Sequence, residues 1–248
     1  MIALFTGSVG SGKSYHALVY GLQKISAIPD RYVVANFPIK FRKGKKGEKE
    51  RKRWHFWREI TPERLIAFSL EKGFYGKEGH CLLIIDEAGV IFNSRDWQIK
   101  GVERTKWIKF MSQSRKFGYD IILVAQSDRM IDRQIRDLAE YEVRHYSARR
   151  YWWLRWFPLK LHFAVWFWYH TRLRGTLDAF VIWKKVADRY DSMRIFNLED
   201  MEKSIEDIYK GKVIPAEVAK FLEFIRAERD KEKFLQRIES EGDAMRRA

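Results

Sequence analysis

Gly7-Ser8-Val9-Gly10-Ser11-Gly12-Lys13-Ser14 fits the pattern of glycine, four residues and Gly-Lys-Ser/Thr without a mismatch. Its residue types define a phosphate cradle. Gly7, Gly10 and Gly12 let the backbone turn so that successive N–H groups face phosphate oxygens, at a helix start whose dipole also favours an anion. Lys13 is placed to bridge the β- and γ-phosphates and Ser14 to hold Mg²⁺, and Tyr15 closes the expected nucleotide-binding set. Further on, Cys81-Leu82-Leu83-Ile84-Ile85 runs into Asp86-Glu87. There Asp86 would bind Mg²⁺ directly or through water, and Glu87 would orient or deprotonate an attacking water. A second apolar run, Ile121 to Ala125, ends in Gln126, an amide placed to sense the γ-phosphate. A strand ending in Asp-Glu is common by itself, but beside an intact phosphate loop it marks a hydrolytic site for ATP and Mg²⁺.

Elements must position these groups. Ile2-Ala3-Leu4-Phe5-Thr6 reads as a strand feeding the loop, and Leu18, Val19, Leu22 and Ile25 recur at helical spacing over Tyr15 to Ile25. Arg31 to Phe37 predicts a second strand ended by Pro38. Thr61-Pro62 is a helix start, with an N-cap and then a proline at the first helical position. The runs 81–85 and 121–125, the second within a strand expected over 120–126, are continuously apolar, as strands of a parallel sheet covered on both faces should be. Between them Trp107 to Phe117 predicts a helix ending in Arg115 and Lys116. Arg104, Arg115, Arg129, Arg133 and Arg136 are the candidates for an arginine finger reaching a neighbouring subunit, and Arg115 is the one chosen.

Composition narrows the partners. Forty-eight Lys and Arg against 33 Asp and Glu give 248 residues a formal charge of +15, which favours nucleic acid or an anionic membrane face. The lone cysteine, Cys81, excludes an intrachain disulfide and reads as a small buried hydrophobe. The first strand begins at once, which predicts no signal peptide and a cytosolic location, and no run approaches 18 uninterrupted apolar residues. Eight of the twelve residues 42–53 are Lys or Arg. That segment predicts an exposed, mobile loop, either merely solubilising or in contact with phosphates. Residues 141–187 are rich in Trp, Phe and Tyr and predict an edge β-hairpin, with a strand over the Thr176-to-Val186 run, apolar on both faces and in need of a cover. Beyond Asn197 the pattern is that of an amphipathic helix, with Val218, Phe221, Leu222 and Ile225 on one side. The expected organisation is an ATPase domain over 1–196 and a helical tail over 197–248.

Several of these residues, taken in order, resemble the zonular occludens toxin (Zot) family: the loop Gly7 to Ser14 at the extreme N-terminus, Val34-Ala35-Asn36-Phe37, Ile84-Ile85-Asp86-Glu87-Ala88, Arg95 and Trp97, Ser114 to Asp120, Ala125-Gln126 and Tyr190-Asp191-Ser192. That family includes assembly ATPases of filamentous phages and is related more distantly to FtsK/HerA-type DNA pumps. The resemblance implies an α/β P-loop NTPase of the RecA/FtsK-like ASCE class with a mainly parallel central sheet, here with an aromatic hairpin extension. It also implies a self-assembled ring, six-membered by analogy, acting on phage DNA or a DNA–coat protein complex with other phage assembly proteins. The place would be the host cytoplasm, at the cytoplasmic face of the inner membrane. Members commonly carry a transmembrane helix after the ATPase domain and none is read in these residues, so either the chain is the cytosolic part of a longer protein or it would reach the membrane through partners or its aromatic hairpin. Lys116 and Phe117 stand where many relatives have a histidine. A viral genome-packaging ATPase would share every site residue, and a nucleotide-gated membrane scaffold is a reading of another class. A small-molecule kinase is disfavoured by Glu87.

Overall fold

The computed structural model describes residues 1–93, 101–148, 161–190, 202, 218–227 and 229–231. Arg95, Trp97 and the aromatic residues between 149 and 160 lie outside them. Five strands form the parallel centre of an eight-stranded sheet: β1 (Ile2–Thr6), β2 (Tyr32–Ala35), β4 (Cys81–Ile85), β5 (Tyr119–Val124) and β6 (Tyr141–Ser147), with the short β3 (Trp54–Phe56) beside β2. Strands β7 (Leu161–Trp168) and β8 (Arg174–Val181) add an antiparallel hairpin, so the order is β3-β2-β4-β5-β1-β6-β7-β8. β5 therefore lies between the strand that feeds the phosphate loop and the strand that ends in Asp86, pairing Phe5 with Val124 and Ile85 with Leu123. The carboxyl ends of all three open on one edge, where α/β sheets bind ligands.

Alternation along each strand divides the core in two. Leu4, Leu83, Ile85, Ile121 and Leu123 face helices α3 (Pro62–Glu71) and α5 (Gly101–Ser112) through Leu65, Phe68, Phe110 and Met111. On the other face Phe5, Leu82, Ile84, Ile122 and Val124 meet Ala17, Leu18, Leu22 and Ile25 of α1 (Lys13–Ala27). Runs apolar at every position are thus what two-sided burial requires. Cys81 is wholly buried in the first of these layers, and burial pushes its thiol well up. The Thr61 hydroxyl caps α3 by accepting from the Arg64 N–H at 3.3 Å, with Pro62 following.

The basic segment differs from its expectation. Residues expected to form a mobile loop fold as α2 (Lys45–Arg53) against the edge of the sheet. Lys, Arg and Glu favour helix, and Arg51, Lys52 and Arg53 crowd the C-terminal turn, where the helix dipole welcomes cations. Charge density conceals two inward positions, Gly47 and Glu50, one turn apart. Gly47 lies so close to the Arg42 carbonyl that an added Cβ would stand 1.6 Å from its oxygen. Glu50 is buried by Arg189. The remaining differences are of extent: the helix expected over 107–117 begins at Gly101 and ends at Ser112, and the strand expected to run to Val186 stops at Val181 before α7 (Lys184–Ala187).

The hairpin finds part of its cover within the chain. His162, Ala164 and Trp166 of β7 and Phe180 of β8 close over α1 and Phe5, while Trp168 stays half exposed. Two compact units are seen, Met1–Asp191 and Ser192–Ala248. In the second, the described residues include a helix over 218–227, where Leu222 and Ile225 are buried and Arg226 pairs with Glu202 at 2.7 Å. Among the described residues no helix is long and apolar enough to cross a membrane.

Candidate nucleotide site

The phosphate loop leaves β1 at Thr6 and enters α1 at Lys13, with Gly12 as the N-cap. At Gly7, φ is +143°, and a Cβ there would come within 2.7 Å of the His145 carbonyl, so β6 presses directly on the back of the loop. The Gly7 N–H donates to the Gln126 carbonyl at 3.2 Å, which ties the end of β5 to the loop. Gln126 is exposed at that rim. Lys13 curls back, its ammonium donating to the Ser8 carbonyl at 3.0 Å across the loop's mouth. Burial lowers its affinity for the proton, while Glu87 and Asp86 oppose that shift.

Behind the loop stands a histidine layer that sequence reading missed. His145 Nδ1 faces the carbonyls of Thr6 and Val143 at 3.2 and 3.0 Å and must carry its proton there, which leaves Nε2 to accept from His16 Nδ1 at 2.9 Å. His162 Nδ1 donates to the Ser11 carbonyl at 2.9 Å. Burial, with His16 second, pushes His145 down to about 3, and burial lowers His16 too. Neutral His16 and His145 rings therefore stand behind the loop. Their sequence positions, far apart on α1, β6 and β7, gave no local signal. Tyr15 also faces this side, accepting from the Trp183 N–H at 3.1 Å and donating to the Val181 carbonyl at 3.3 Å.

At the carboxyl end of β4, Asp86 is 2% exposed. Its Oδ1 accepts from the Ser14 hydroxyl at 3.2 Å and from the Glu87 N–H at 3.0 Å, and its Oδ2 accepts from the Tyr190 hydroxyl. Asn36, at the end of β2, donates from Nδ2 to the Asp86 carbonyl and accepts the Asp86 N–H, both at 2.8 Å. Glu87 takes a left-handed conformation, φ 50° and ψ 40°, at the start of α4 (Ala88–Ile91). Burial and then the neighbouring Asp86 raise its pKa, while Lys13 opposes them, and a raised pKa makes the carboxylate a better proton acceptor. Tyr190 is raised also, by burial first and Asp86 second, and stays a donor.

These residues fit a nucleotide with a hard cation. A hydroxyl and a carboxylate converge within hydrogen-bond distance, the oxygen donor set that Mg²⁺ prefers. The described residues contain no cluster of three or more His, Cys, Asp or Glu able to hold a metal. Phosphate and water would have to complete the cation's shell, as they do beside nucleotide. The Ser11 hydroxyl, buried in the loop, finds no hydrogen-bond partner among the described residues.

Residues 1–153 match the family model described as Zonular occludens toxin (Zot). The chain belongs to the Zot family. The loop, the sheet order and the acidic pair make this Zot-family protein a P-loop ATPase. It is 32% identical over 146 residues to the gene 1 protein of Salmonella phage IKe, an alignment covering 57% of this chain and 39% of the phage protein. Two solved structures resemble it at 16% identity and TM-score 0.45: the N-terminal domain of zonular occludens toxin from Neisseria meningitidis, covering 77% of this chain and 98% of that one, and the genome packaging NTPase B204 of Sulfolobus turreted icosahedral virus 2 with ATP-gammaS, covering 72% and 95%.

The arginine candidates separate by place. Arg115 pairs with Glu140 at 3.1 Å beside Ile2, at the opposite end of β1 from its own loop. Arg104 binds Asp132, and Arg133 and Arg136 face Asp137 and Asp128. Arg129 is exposed in the turn that follows Gln126, on the loop's own side of the sheet.

Proposed function

We propose that this chain is the ATP-hydrolysing motor of filamentous phage assembly, driving export of single-stranded DNA at the host inner membrane. The observation that carries the hydrolytic part is the convergence of Ser14 and Asp86 at 3.2 Å beside Glu87. Membership of the Zot family and likeness to a phage gene 1 protein support the phage part.

Lys13 and the loop N–H groups hold the β- and γ-phosphates, and Ser14 with Asp86 would hold Mg²⁺. Held by Ser14 and Asp86, a cation there would supply neutralisation of charge developing on the phosphates. Glu87 takes the proton of the attacking water, and Gln126 bonds the γ-phosphate or that water. Arg115 projects toward a neighbouring subunit of a ring, six-membered by analogy, where a finger contributes about 10³ to 10⁵ in rate. Its position away from its own loop is compatible with action in trans. Lys43, Lys45, Lys46, Lys49 and Lys52 are exposed on and beside α2, a cationic surface suited to DNA phosphates. Residues 1–196 form the motor in this reading, and 197–248 a helical tail that docks on other assembly proteins. The protein works in the host cytoplasm against the membrane's inner face.

The test is ATP turnover with no DNA, with single-stranded and with double-stranded DNA, alongside sedimentation with ATP and the binding-dead control Lys13→Ala. The reading expects single-stranded DNA to raise turnover and ATP to promote a ring. Turnover indifferent to both DNAs, with no ring, would sink the motor.

A further inference from the structure

We propose that Tyr190 is a positioning residue for the metal end of the site, its hydroxyl holding the Asp86 carboxylate so that Oδ1 is presented beside the Ser14 hydroxyl. The inference rests on reading Ser14 and Asp86 as the Mg²⁺ pair. Asp86 is a buried carboxylate, and no ion pair to it is found among the described residues. Its two oxygens are divided: Oδ1 serves Ser14 and the Glu87 N–H, and Oδ2 takes the Tyr190 hydroxyl. With Asn36 bonded to the main chain on both sides of the residue, the phenol completes the control of this group by fixing how the carboxylate turns. The hydroxyl thus bonds one Mg²⁺ candidate, whose other oxygen faces the second.

Tyr190 is itself held unusually firmly for a residue following a four-residue helix. Its neighbour Arg189 is 7% exposed and forks onto Glu50 of α2, Nη2 to Oε2 at 2.6 Å and Nη1 to Oε1 at 3.3 Å. Arg189 also exchanges bonds of 2.9 Å with Lys40, from Nε to the Lys40 carbonyl and from the Lys40 N–H to the Arg189 carbonyl. Ile39 bridges to Tyr190, and Phe37 meets its ring edge-on with centroids 4.9 Å apart. A ring anchored at this many points supplies a fixed donor. Outer-shell partners of this kind orient a ligand for its metal, and removing one weakens metal binding by about 10- to 100-fold.

Tyr190→Phe deletes the hydroxyl and keeps the ring contacts. The experiment titrates Mg²⁺ into the full chain with a fluorescent ATP analogue and repeats the binding in EDTA. The expected result is analogue affinity in EDTA within about twofold of the unaltered chain, with the Mg²⁺ midpoint raised about 10-fold or more. In an Asp86→Asn background the Tyr190→Phe substitution should add little, because the two residues act through one bond. An unchanged Mg²⁺ midpoint, a lowered one, or a fully additive effect with Asp86→Asn overturns the proposal while leaving the phosphate loop reading intact. Absence of analogue binding by the unaltered chain overturns both.

Discussion

Asn36 and Asp86 clasp one another end to end across neighbouring strands, each giving and receiving one hydrogen bond of 2.8 Å. The bonds involve the Asp86 main chain, so the Asn36 amide finishes the β2–β4 ladder where a further residue of β2 would have paired. The position of the acidic pair is thus set by a side chain on another strand.

Replacing Asn36 by Ala leaves a buried N–H and a buried carbonyl without partners. The expected cost is about 1–3 kcal/mol of stability per group left unsatisfied. Urea denaturation measures it, and Mg²⁺-dependent nucleotide binding should weaken in the same variant. A midpoint equal to that of the unaltered protein would show that water replaces the amide fully.

Glu87→Gln should keep nucleotide binding and abolish turnover, because an amide cannot take a proton from water. Burial and Asp86 raise the carboxylate, so the acid limb of the turnover profile should lie above the ordinary carboxylate range. Turnover measured against pH checks both. Normal hydrolysis by the glutamine variant would remove Glu87 from its role.

The histidine layer gives stability a pH dependence of known sign. His145 is held down to about 3 when folded and returns to about 6.5 when unfolded, and His16 is lowered as well. Between those values the unfolded chain binds more protons, so the contribution is complete above about pH 6.5 and is lost as pH falls toward 3. Melting temperatures recorded from pH 7.5 to 4.5 should therefore decline, and less steeply in His145→Gln. Parallel profiles for the two proteins would count against the buried neutral pair.

Glu50→Ala removes the partner of a buried guanidinium. Breaking such a pair costs about 3–5 kcal/mol, because the remaining charge stays uncompensated. Helix α2 should loosen with it, read as faster amide exchange over 45–53. A loss below about 1 kcal/mol, typical of exposed ion pairs, would mean that Arg189 finds water or another acceptor.

The sequence by itself determined the chemistry and the class of fold. An intact phosphate loop admits few alternatives, because each residue type has a separate task, and the apolar runs at 2–5, 81–85 and 121–125 announce strands buried on both faces. Asp86, Glu87 and Gln126 were legible because they end such runs, and a parallel sheet brings those ends to one edge. Local patterns also located the capped helix at Pro62, the hairpin and the tail helix over 218–227.

Tertiary structure decided what lies between those points. Eight cations in twelve residues look like a loop until Arg189, far along the chain, buries Glu50 and gives the helix a side to rest on. His16, His145 and His162 were ordinary residues in the sequence, and Asn36 and Tyr190 stood out only as parts of a family resemblance with no task attached, since a polar side chain acquires its meaning from partners brought by long-range pairing. Periodicity reports which face of an element is apolar, whereas hydrogen bonds between distant elements depend on register and approach. The phosphate loop could be read from one short stretch because its ligand is gripped by local backbone. The support behind it could not, because it is assembled from α1, β6 and β7, which meet only in the folded chain.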